Sequence, residues 1–327
     1  MTITDTSPPS SSPPEADDAP LDQPIGRAGD RVFSGLSFGA AALILVTLAA
    51  VAAFLFAQGR EGVTADPTNF DGDQGFFEYV GPFLFGTIYI SCIALLLATP
   101  VAIAVALYVS HYAPKKLGRT LGYFIDLLAA IPSVVYGLWG ILVLAPVLAR
   151  SVMPWLRDNL GFLPFFGSDL AVSTSGRSTL TVGVVLAVMV LPIITAVSRE
   201  VFLQTPRLHE EASLALGATK WEMIRQAVLP YGRSGVISGA MLGLGRALGE
   251  TMAVAIILSP SFGYFWDVLT NSNSNSIASN IALQFPEAAG LAVDRLIATG
   301  LVLFLITFGV NAVARRVASA GFSGADG

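Results

Sequence analysis

An arginine and a glutamate lie four residues apart within an otherwise apolar stretch of this chain. The stretch runs from Ser234 to Val254, and the charged residues are Arg246 and Glu250. In a continuous helix both would lie on one face, and that face must avoid lipid, because a charge at mid-bilayer costs about 2.5–3.5 kcal/mol even on the most lenient scale. A guanidinium matches an oxyanion in bidentate fashion. The pair therefore predicts a place where a passing anion is bound.

A structural explanation of this pair competes with the functional one. In the structural alternative, Arg246 and Glu250 form an i,i+4 ion pair that neutralises itself and joins two helices. In the functional alternative, the carboxylate holds the guanidinium until an anion displaces it. We favour the functional alternative, because a buried ion pair is costly and is often replaceable by apolar packing. Glu250 would then either orient Arg246 or accept a hydrogen bond from a protonated anion.

Three glycines share the predicted stripe with the charged pair. Gly235, Gly239 and Gly243 recur every four residues, so they fall within about 40° of one line along a helix. Glycines at this spacing allow a second helix to approach closely. The stripe therefore predicts tight helix packing at one end of the stretch and the charged pair further along.

A short polar segment, residues 206–230, lies between two apolar stretches. Pro206 is suited to open a first helical turn, and Gly217 allows the chain to reverse, so we expect a helix, a break and a second helix. An exposed helix between two membrane spans is a natural contact point for a partner protein. The residues assigned to this role are Glu210, Glu211, Ala212 and Gly217.

The composition indicates an all-α, polytopic membrane protein. The 327 residues are 54% hydrophobic and only 13% charged, with a mean hydropathy of +0.68. A helix needs about 20 apolar residues to cross the hydrocarbon, and backbone groups in lipid must bond internally. Six transmembrane helices are predicted, near 32–57, 83–108, 121–148, 179–198, 234–258 and 296–314.

The distribution of basic residues predicts the orientation. With the N-terminus inside, the cytoplasmic segments carry twelve Lys and Arg residues and the outer segments five. This excess favours both termini and segment 206–230 in the cytoplasm. The basic residues orient the protein, and nucleic-acid binding is not expected. The single cysteine, Cys92, excludes an internal disulfide, and two histidines in polar loops make a metal site unexpected.

Segment 206–230 resembles the EAA loop of ABC importer permeases. Glu211 and Ala212 precede Gly217 by the family's spacing, and Leu229-Pro230 follows, although Ser213 and Ala227 depart from the consensus. The run Gly245-Arg-Ala-Leu-Gly-Glu-Thr-Met-Ala-Val254, together with Ile131-Pro-Ser-Val-Val-Tyr-Gly137, resembles the PstC family of phosphate ABC importer permeases. The resemblance covers roughly 83–315, and it implies a type I, MetI-like core and ties Arg246 and Glu250 to phosphate movement.

The same resemblance implies the partners and the division of the chain. A PstA-like second permease, a PstB-like ATPase dimer at the cytoplasmic face and an extracytoplasmic phosphate-binding protein are expected in a bacterial cytoplasmic membrane. No Walker A loop is present, since none of the three lysines follows glycine, so ATP hydrolysis requires a separate chain and no cofactor is expected. We expect a disordered tail (1–29), a first span with its outer loop (30–82), the permease core (83–315) and a short C-terminal tail (316–327).

Some features permit more than one interpretation. Another oxyanion, such as sulfate or molybdate, could be the substrate, and a secondary transporter is a more distant alternative. Pro100 and Pro132 are expected to kink their helices, either along a pathway or for packing alone. The run Asn271–Ser276 is predicted to be a flexible polar loop, followed by a short helix that ends before Gly290.

Overall fold

The computed structural model describes residues 27–70, 73–167 and 169–320, and these residues are mostly helical. The helices are α1 (Arg27–Thr64), α2 (Phe76–Leu107), α3 (Lys115–Ala129), α4 (Ser133–Trp139), α5 (Ala145–Val147), α6 (Met153–Leu160), α7 (Thr179–Leu203), α8 (Arg207–Ala215), α9 (Lys220–Met223), α10 (Leu229–Leu248), α11 (Met252–Ile257), α12 (Ile277–Gln284) and α13 (Leu291–Ala320). Short π-helical turns continue α2 and α9 and join α4, α5 and α6. Two parallel strands, β1 (Pro260–Ser261) and β2 (Asn273–Ser274), pair with each other.

The predicted tails lie largely outside the described residues. Of the predicted N-terminal tail 1–29, only 27–29 are described, and these already belong to α1. At the other end α13 continues to Ala320, five residues beyond the predicted end of the core. The chain divides into two compact units at Val51. In the first, the described residues form the initial part of α1, whose large apolar side chains are exposed.

Five helices in the described part of the chain are long and apolar enough to cross a membrane. They are Gly29–Thr64, Phe76–Tyr112, Ser133–Leu160, Thr179–Leu203 and Leu291–Arg316. Each overlaps a predicted span, so the polytopic helical architecture is confirmed. Four of them are longer than predicted, because these helices continue beyond the apolar windows on which the prediction rested, whereas Ser133–Leu160 has the predicted length at a shifted position.

The third predicted span was placed wrongly, and the fifth is interrupted. Residues 115–129 form the separate helix α3, and Pro132 caps the start of α4, so this proline separates two helices where a kink was predicted. The spanning helix therefore begins at Ser133 and not near 121. The predicted span 234–258 is broken between Leu248 and Met252, and α11 has only six residues. Pro100, in contrast, remains inside α2.

The glycine stripe on α10 packs against α7, as its spacing predicted. A Cβ atom on Gly235 would overlap a methyl group of Val201, and one on Gly243 would lie 3.0 Å from the side chain of Ile194. The first contact is closer than real Cβ atoms show and the second is tight, so these glycines leave space that side chains of α7 occupy. Helix α7 also packs along α2, and the buried apolar core forms around these helices.

Polar residues close the end of the molecule at which α2 begins. Asn273 is fully buried, and its Oδ1 accepts hydrogen bonds from the Thr179 N–H and hydroxyl at 2.9 and 3.0 Å. The Thr87 hydroxyl accepts the Ile277 N–H at 2.9 Å. The prediction of a flexible loop at 271–276 was therefore wrong for 273–276, which are buried and bonded. The short helix predicted after it is present as α12.

Candidate substrate pathway and coupling segment

Arg246 lies in the last turn of α10, which ends because Gly249 leaves the helical conformation. The side chain is half-buried, and its Nε has no hydrogen-bond partner in the described part of the chain. A buried donor of this kind carries an unmet desolvation cost that a bound acceptor would remove. Arg246 is therefore chemically able to bind an anion.

Glu250 does not share the helical stripe of Arg246, because it follows the end of α10. Its side chain is 7% exposed, and Oε1 accepts the Ala253 N–H at 3.0 Å. A carboxylate at this position satisfies an otherwise unpaired donor in the first turn of α11 and complements the helix dipole. No ion pair joins Arg246 and Glu250 among the described residues, so the i,i+4 pair of the structural alternative is not formed.

Tyr136 is a neighbour of Arg246 that sequence reasoning did not assign to the site. It lies on α4, and its hydroxyl donates to the Leu128 carbonyl at 2.9 Å, which bridges the break between α3 and α4. Tyr136 belongs to the same buried cluster as Ala247, which follows Arg246 in the chain. Helix α4 also packs against α11, so two interrupted helices meet near this arginine. A tyrosine within the apolar run after Pro132 was the available signal.

Arg177 holds the other end of α11. Its Nε and Nη2 donate to the carbonyls of Ile257 and Ile256 at 3.1 and 3.0 Å. These are among the last carbonyls of the helix, which have no partner within it. Glu250 and Arg177 thus place opposite charges at the two ends of α11, each with the sign that the helix dipole favours. This short helix is fixed from both sides.

The segment 206–230 folds as its local signals predict. Helix α8 begins after Pro206, and Gly217 adopts a φ of +88°. Two hydrogen bonds close the turn, from the Gly217 N–H to Leu214 and from the Ala218 N–H to Ser213, which is a Schellman motif. Helix α9 starts with a reciprocal capping box between Thr219 and Glu222. The predicted helix, break and helix are therefore present.

The four residues assigned to coupling lie on this segment but do not form one cluster. Glu210 is half-buried, with Oε1 3.6 Å from His111 Nε2, whereas Glu211, Ala212 and Gly217 are exposed. The hydrogen bonds from Thr219 hold the pKa of the Glu222 carboxyl below its usual value.

Large apolar side chains are exposed around the same turn. Leu216 is 90% exposed, and a recess of about 770 Å³ lies beside it, between the turn and the start of α10. Its neighbours Leu208, Leu214 and Trp221 are also exposed. A concentration of exposed apolar residues rimmed by charges is typical of a surface that a partner protein covers.

The fold and the site together define a membrane permease, with a helix bundle, an exposed coupling segment and a guanidinium at an interrupted helix. Residues 98–319 match the family model for the binding-protein-dependent transport system inner membrane component. The chain is 42% identical over 315 residues to the phosphate transport system permease protein PstC 2 of Mycobacterium bovis, covering 93% of this chain and 96% of the relative. It is 41% identical to PstC of Mycobacterium leprae, over 92% of this chain and 96% of that protein.

A solved structure shares the fold at low sequence identity. A chain of a bacterial ABC transporter involved in the import of alginate aligns with a TM-score of 0.55 and 17% identity, covering 88% of this chain and 99% of that one. The chain therefore belongs to the binding-protein-dependent permeases of ABC importers, and within them to the PstC family. It is a multi-pass subunit of an inner-membrane transporter.

Proposed function

We propose that this chain carries inorganic phosphate across the cytoplasmic membrane as one of two permease subunits of an ABC importer. The observation that carries the proposal is the identity to PstC permeases over nine-tenths of the chain. Transport of a phosphate dianion requires a cationic group in the pathway, and the unpartnered Nε of Arg246 supports that role. Transport proceeds by alternating access, and ATP hydrolysis on separate subunits supplies the energy.

Arg246 and Glu250 have different roles in this mechanism. Arg246 binds the passing anion, because a guanidinium gains most from an oxyanion when it is partly withdrawn from water. Glu250 acts mainly as a positioning residue, since its carboxylate accepts the Ala253 N–H at the start of α11. A fixed α11 keeps the break after α10 open beside Arg246. Glu250 therefore orients the site, and its contact with substrate is secondary.

The segment 206–230 receives the ATPase. Exposed apolar residues around Leu216 support a buried subunit interface, and the αL turn at Gly217 supports a fixed angle between α8 and α9. We assign Glu210, Glu211, Ala212 and Gly217 to this coupling contact. When the two ATPase subunits close on ATP, α8 moves with them and the pathway opens outward; hydrolysis resets it.

The complete transporter contains a PstA-like second permease, a PstB-like ATPase dimer and an extracytoplasmic phosphate-binding protein. We propose that both termini and segment 206–230 lie in the cytoplasm, because this orientation puts twelve basic residues inside and five outside. The binding protein delivers phosphate at the opposite face. The chain thus comprises the N-terminal tail (1–29), the first span and its loop (30–82), the core (83–315) and the C-terminal tail (316–327).

The test is uptake of radiolabelled phosphate by phosphate-starved cells that carry the wild-type gene, a deletion, Arg246→Gln or Glu250→Gln. We expect the deletion and Arg246→Gln to abolish high-affinity uptake that excess sulfate does not inhibit, with the Arg246→Gln complex still assembled in the membrane. Glu250→Gln retains an oxygen acceptor for the Ala253 N–H, so we expect partial uptake, and Glu250→Ala should lose more.

One control variant and the contrary outcomes make the result decisive. Arg246→Lys keeps the charge without the planar fork, and we expect intermediate uptake. A complex that fails to assemble with Arg246→Gln would support a structural role for the arginine. Unchanged phosphate uptake in the deletion strain, once other phosphate transporters are removed, would contradict the substrate assignment, and inhibition by sulfate or molybdate would identify a different oxyanion.

A further inference from the structure

A buried guanidinium lies at the end of the molecule where α2 begins. Arg295 is in the first turns of α13, and its side chain is only 7% exposed. Its Cζ lies 3.8 Å from the ring centroid of Tyr79 and 4.2 Å from that of Phe70, so two aromatic rings flank the guanidinium. Cations are favourable over aromatic faces, but aromatic rings do not neutralise a charge.

The hydrogen-bonding capacity of Arg295 is only partly used. Nη2 donates to the Gln74 carbonyl at 3.2 Å, whereas Nε is buried without a partner. The described residues place no carboxylate within ion-pair distance of the guanidinium. The adjacent Asp294 carboxylate instead accepts a hydrogen bond from Gln58 Nε2 at 2.7 Å. A buried cation is normally paired with a counter-ion, so this environment favours the binding of an anion.

Arg295 lines a cleft of about 660 Å³ whose other polar groups are mainly neutral amides and a phenol. The Asn280 Nδ2 donates to the Tyr79 hydroxyl at 2.8 Å, and that hydroxyl donates to Gln284 Oε1 at 2.8 Å. The Gln284 side-chain oxygen is therefore already hydrogen-bonded, whereas its amide N–H groups are free to donate to a ligand. The one carboxylate among the described lining residues is that of Glu287, which is exposed at the rim.

We propose that this cleft binds a phosphate group, with Arg295 as its cationic anchor and the Gln284 amide as a second donor. Assignment of phosphate as the anion rests on the proposed function. The ligand is either free inorganic phosphate, held before it reaches Arg246, or the phosphate of a lipid headgroup. The two sources share one chemistry, in which a partly desolvated guanidinium donates to an oxyanion.

The cleft lies at the opposite end of α2 from the coupling segment. The beginning of α2 contributes Tyr79 and Phe83 to the cleft, whereas Tyr108 and Tyr112 beyond its end lie beside Trp221 and Leu229. A helix of 32 residues is about 48 Å long, so the two regions are separated by most of a bilayer. In the proposed orientation this cleft opens on the side from which phosphate arrives.

Binding of inorganic phosphate to the complete importer, purified without the binding protein, tests the proposal. All variants carry Arg246→Gln, so the site at Arg246 does not contribute. In lipid-depleted detergent we expect Arg295→Gln to weaken binding by about tenfold or more, the scale of a lost charged hydrogen bond. Glu287→Gln should tighten binding several-fold, because it removes the only described carboxylate in the cleft without touching the packing of Arg295.

Native mass spectrometry of the same samples separates the two sources. A phospholipid retained by the complex with Arg295 intact and lost with Arg295→Gln would establish the headgroup as the source of the phosphate group. If Arg295→Gln does not fold, the Glu287→Gln variant still tests the proposal. If that variant binds phosphate with unchanged affinity and retains the same lipid, the proposal is overturned. It is also overturned if Arg295→Gln alters only the stimulation of ATPase activity by the binding protein, because Arg295 would then be a docking contact.

Failure of this inference is distinct from failure of the proposed function. Loss of phosphate uptake with Arg246→Gln in the absence of any effect of Arg295→Gln would leave the permease assignment intact. Loss of binding at the Arg295 cleft with normal sulfate-insensitive uptake would instead place this site outside the transport pathway and identify it as a lipid or accessory anion site.

Discussion

At one end of α2 the chain presents segment 206–230, and at the other end it presents residues 258–280. Both connect apolar helices. In the first, Leu216 is 90% exposed, and Leu208, Leu214 and Trp221 near it are also exposed. In the second, Asn273, Ser274 and Asn275 are buried and hydrogen-bonded within the chain.

The two ends differ in where their contacts are made: one within this chain, and the other with further subunits. At the buried end, residues 273–276 form hydrogen bonds within the chain, so the conformation of this run depends on contacts that the chain itself provides. The exposed end leaves apolar surface for other subunits, so its function depends on assembly. Substitutions at the buried end should therefore alter the stability of the permease, and those at the exposed end should alter coupling.

The largest effect is expected from Asn273→Ala at the buried end. Asn273 accepts from Thr179 and donates to the carbonyls of Arg177 and Asn271, at 3.2 and 2.7 Å. Removing it leaves buried groups without partners, at about 1–3 kcal/mol for each such group. We expect a lower unfolding temperature for the purified complex. Ser272→Ala is the matched control, and an equal loss of stability there would contradict the distinction.

An intermediate effect is expected from Gly217→Val at the exposed end. Space does not prevent this change, since nothing lies within 4 Å of a Cβ at this position, but the φ of +88° is strained for a β-branched residue. The strain is about 1–2 kcal/mol and is confined to the turn. We expect normal assembly with ATP hydrolysis uncoupled from uptake.

The control for this prediction is Gly217→Asn, because asparagine tolerates the left-handed conformation. It should retain coupled uptake. If the valine variant transports phosphate with wild-type coupling, then the angle between α8 and α9 does not transmit the ATPase movement, and the exposed end is not the coupling element.

The smallest effect is expected from acidification at the capping box of α9. Because the pKa of Glu222 is lowered in the folded chain, its stabilising effect is present above the ordinary carboxyl pKa and is lost as the pH falls through the lowered value. Hydrogen exchange of the Thr219 amide should therefore show reduced protection at acid pH. Glu222→Gln keeps an acceptor without the charge, so protection in that variant should not depend on pH in this range.

The difference between the two ends also explains what the sequence could predict. Pro206, Gly217 and the Thr219–Glu222 box act within a few residues, so their spacing was enough to predict the helices of the coupling segment. Asn273 instead bonds to Thr179, which is 94 positions away, and Thr87 bonds to a residue 190 positions away. A local sequence pattern cannot predict hydrogen bonds between residues so far apart. The run of Asn and Ser residues was therefore predicted to be a flexible loop.

The site around Arg246 could be predicted from the sequence only in part. The glycine stripe was predicted because helical periodicity extends along α10 to Leu248. The position of Glu250 was not, because the prediction continued that periodicity through Gly249, where the helix ends. Tyr136 and Arg177 were missed as neighbours of the site because α4 and the segment before α7 reach it only through tertiary packing.

The glycine stripe has a mechanical consequence for α7 and α10. Their ends flank segment 206–230, and the glycines at 235 and 243 allow the two helices to pack closely, so we expect a force on the segment to move them together. Helix α10 is 20 residues long, about 30 Å, so a tilt of about 5° at the coupling end displaces its far end by about 2.5 Å. That far end carries Arg246. A small rotation imposed by the ATPase would thus be sufficient to move the guanidinium by nearly the length of a hydrogen bond.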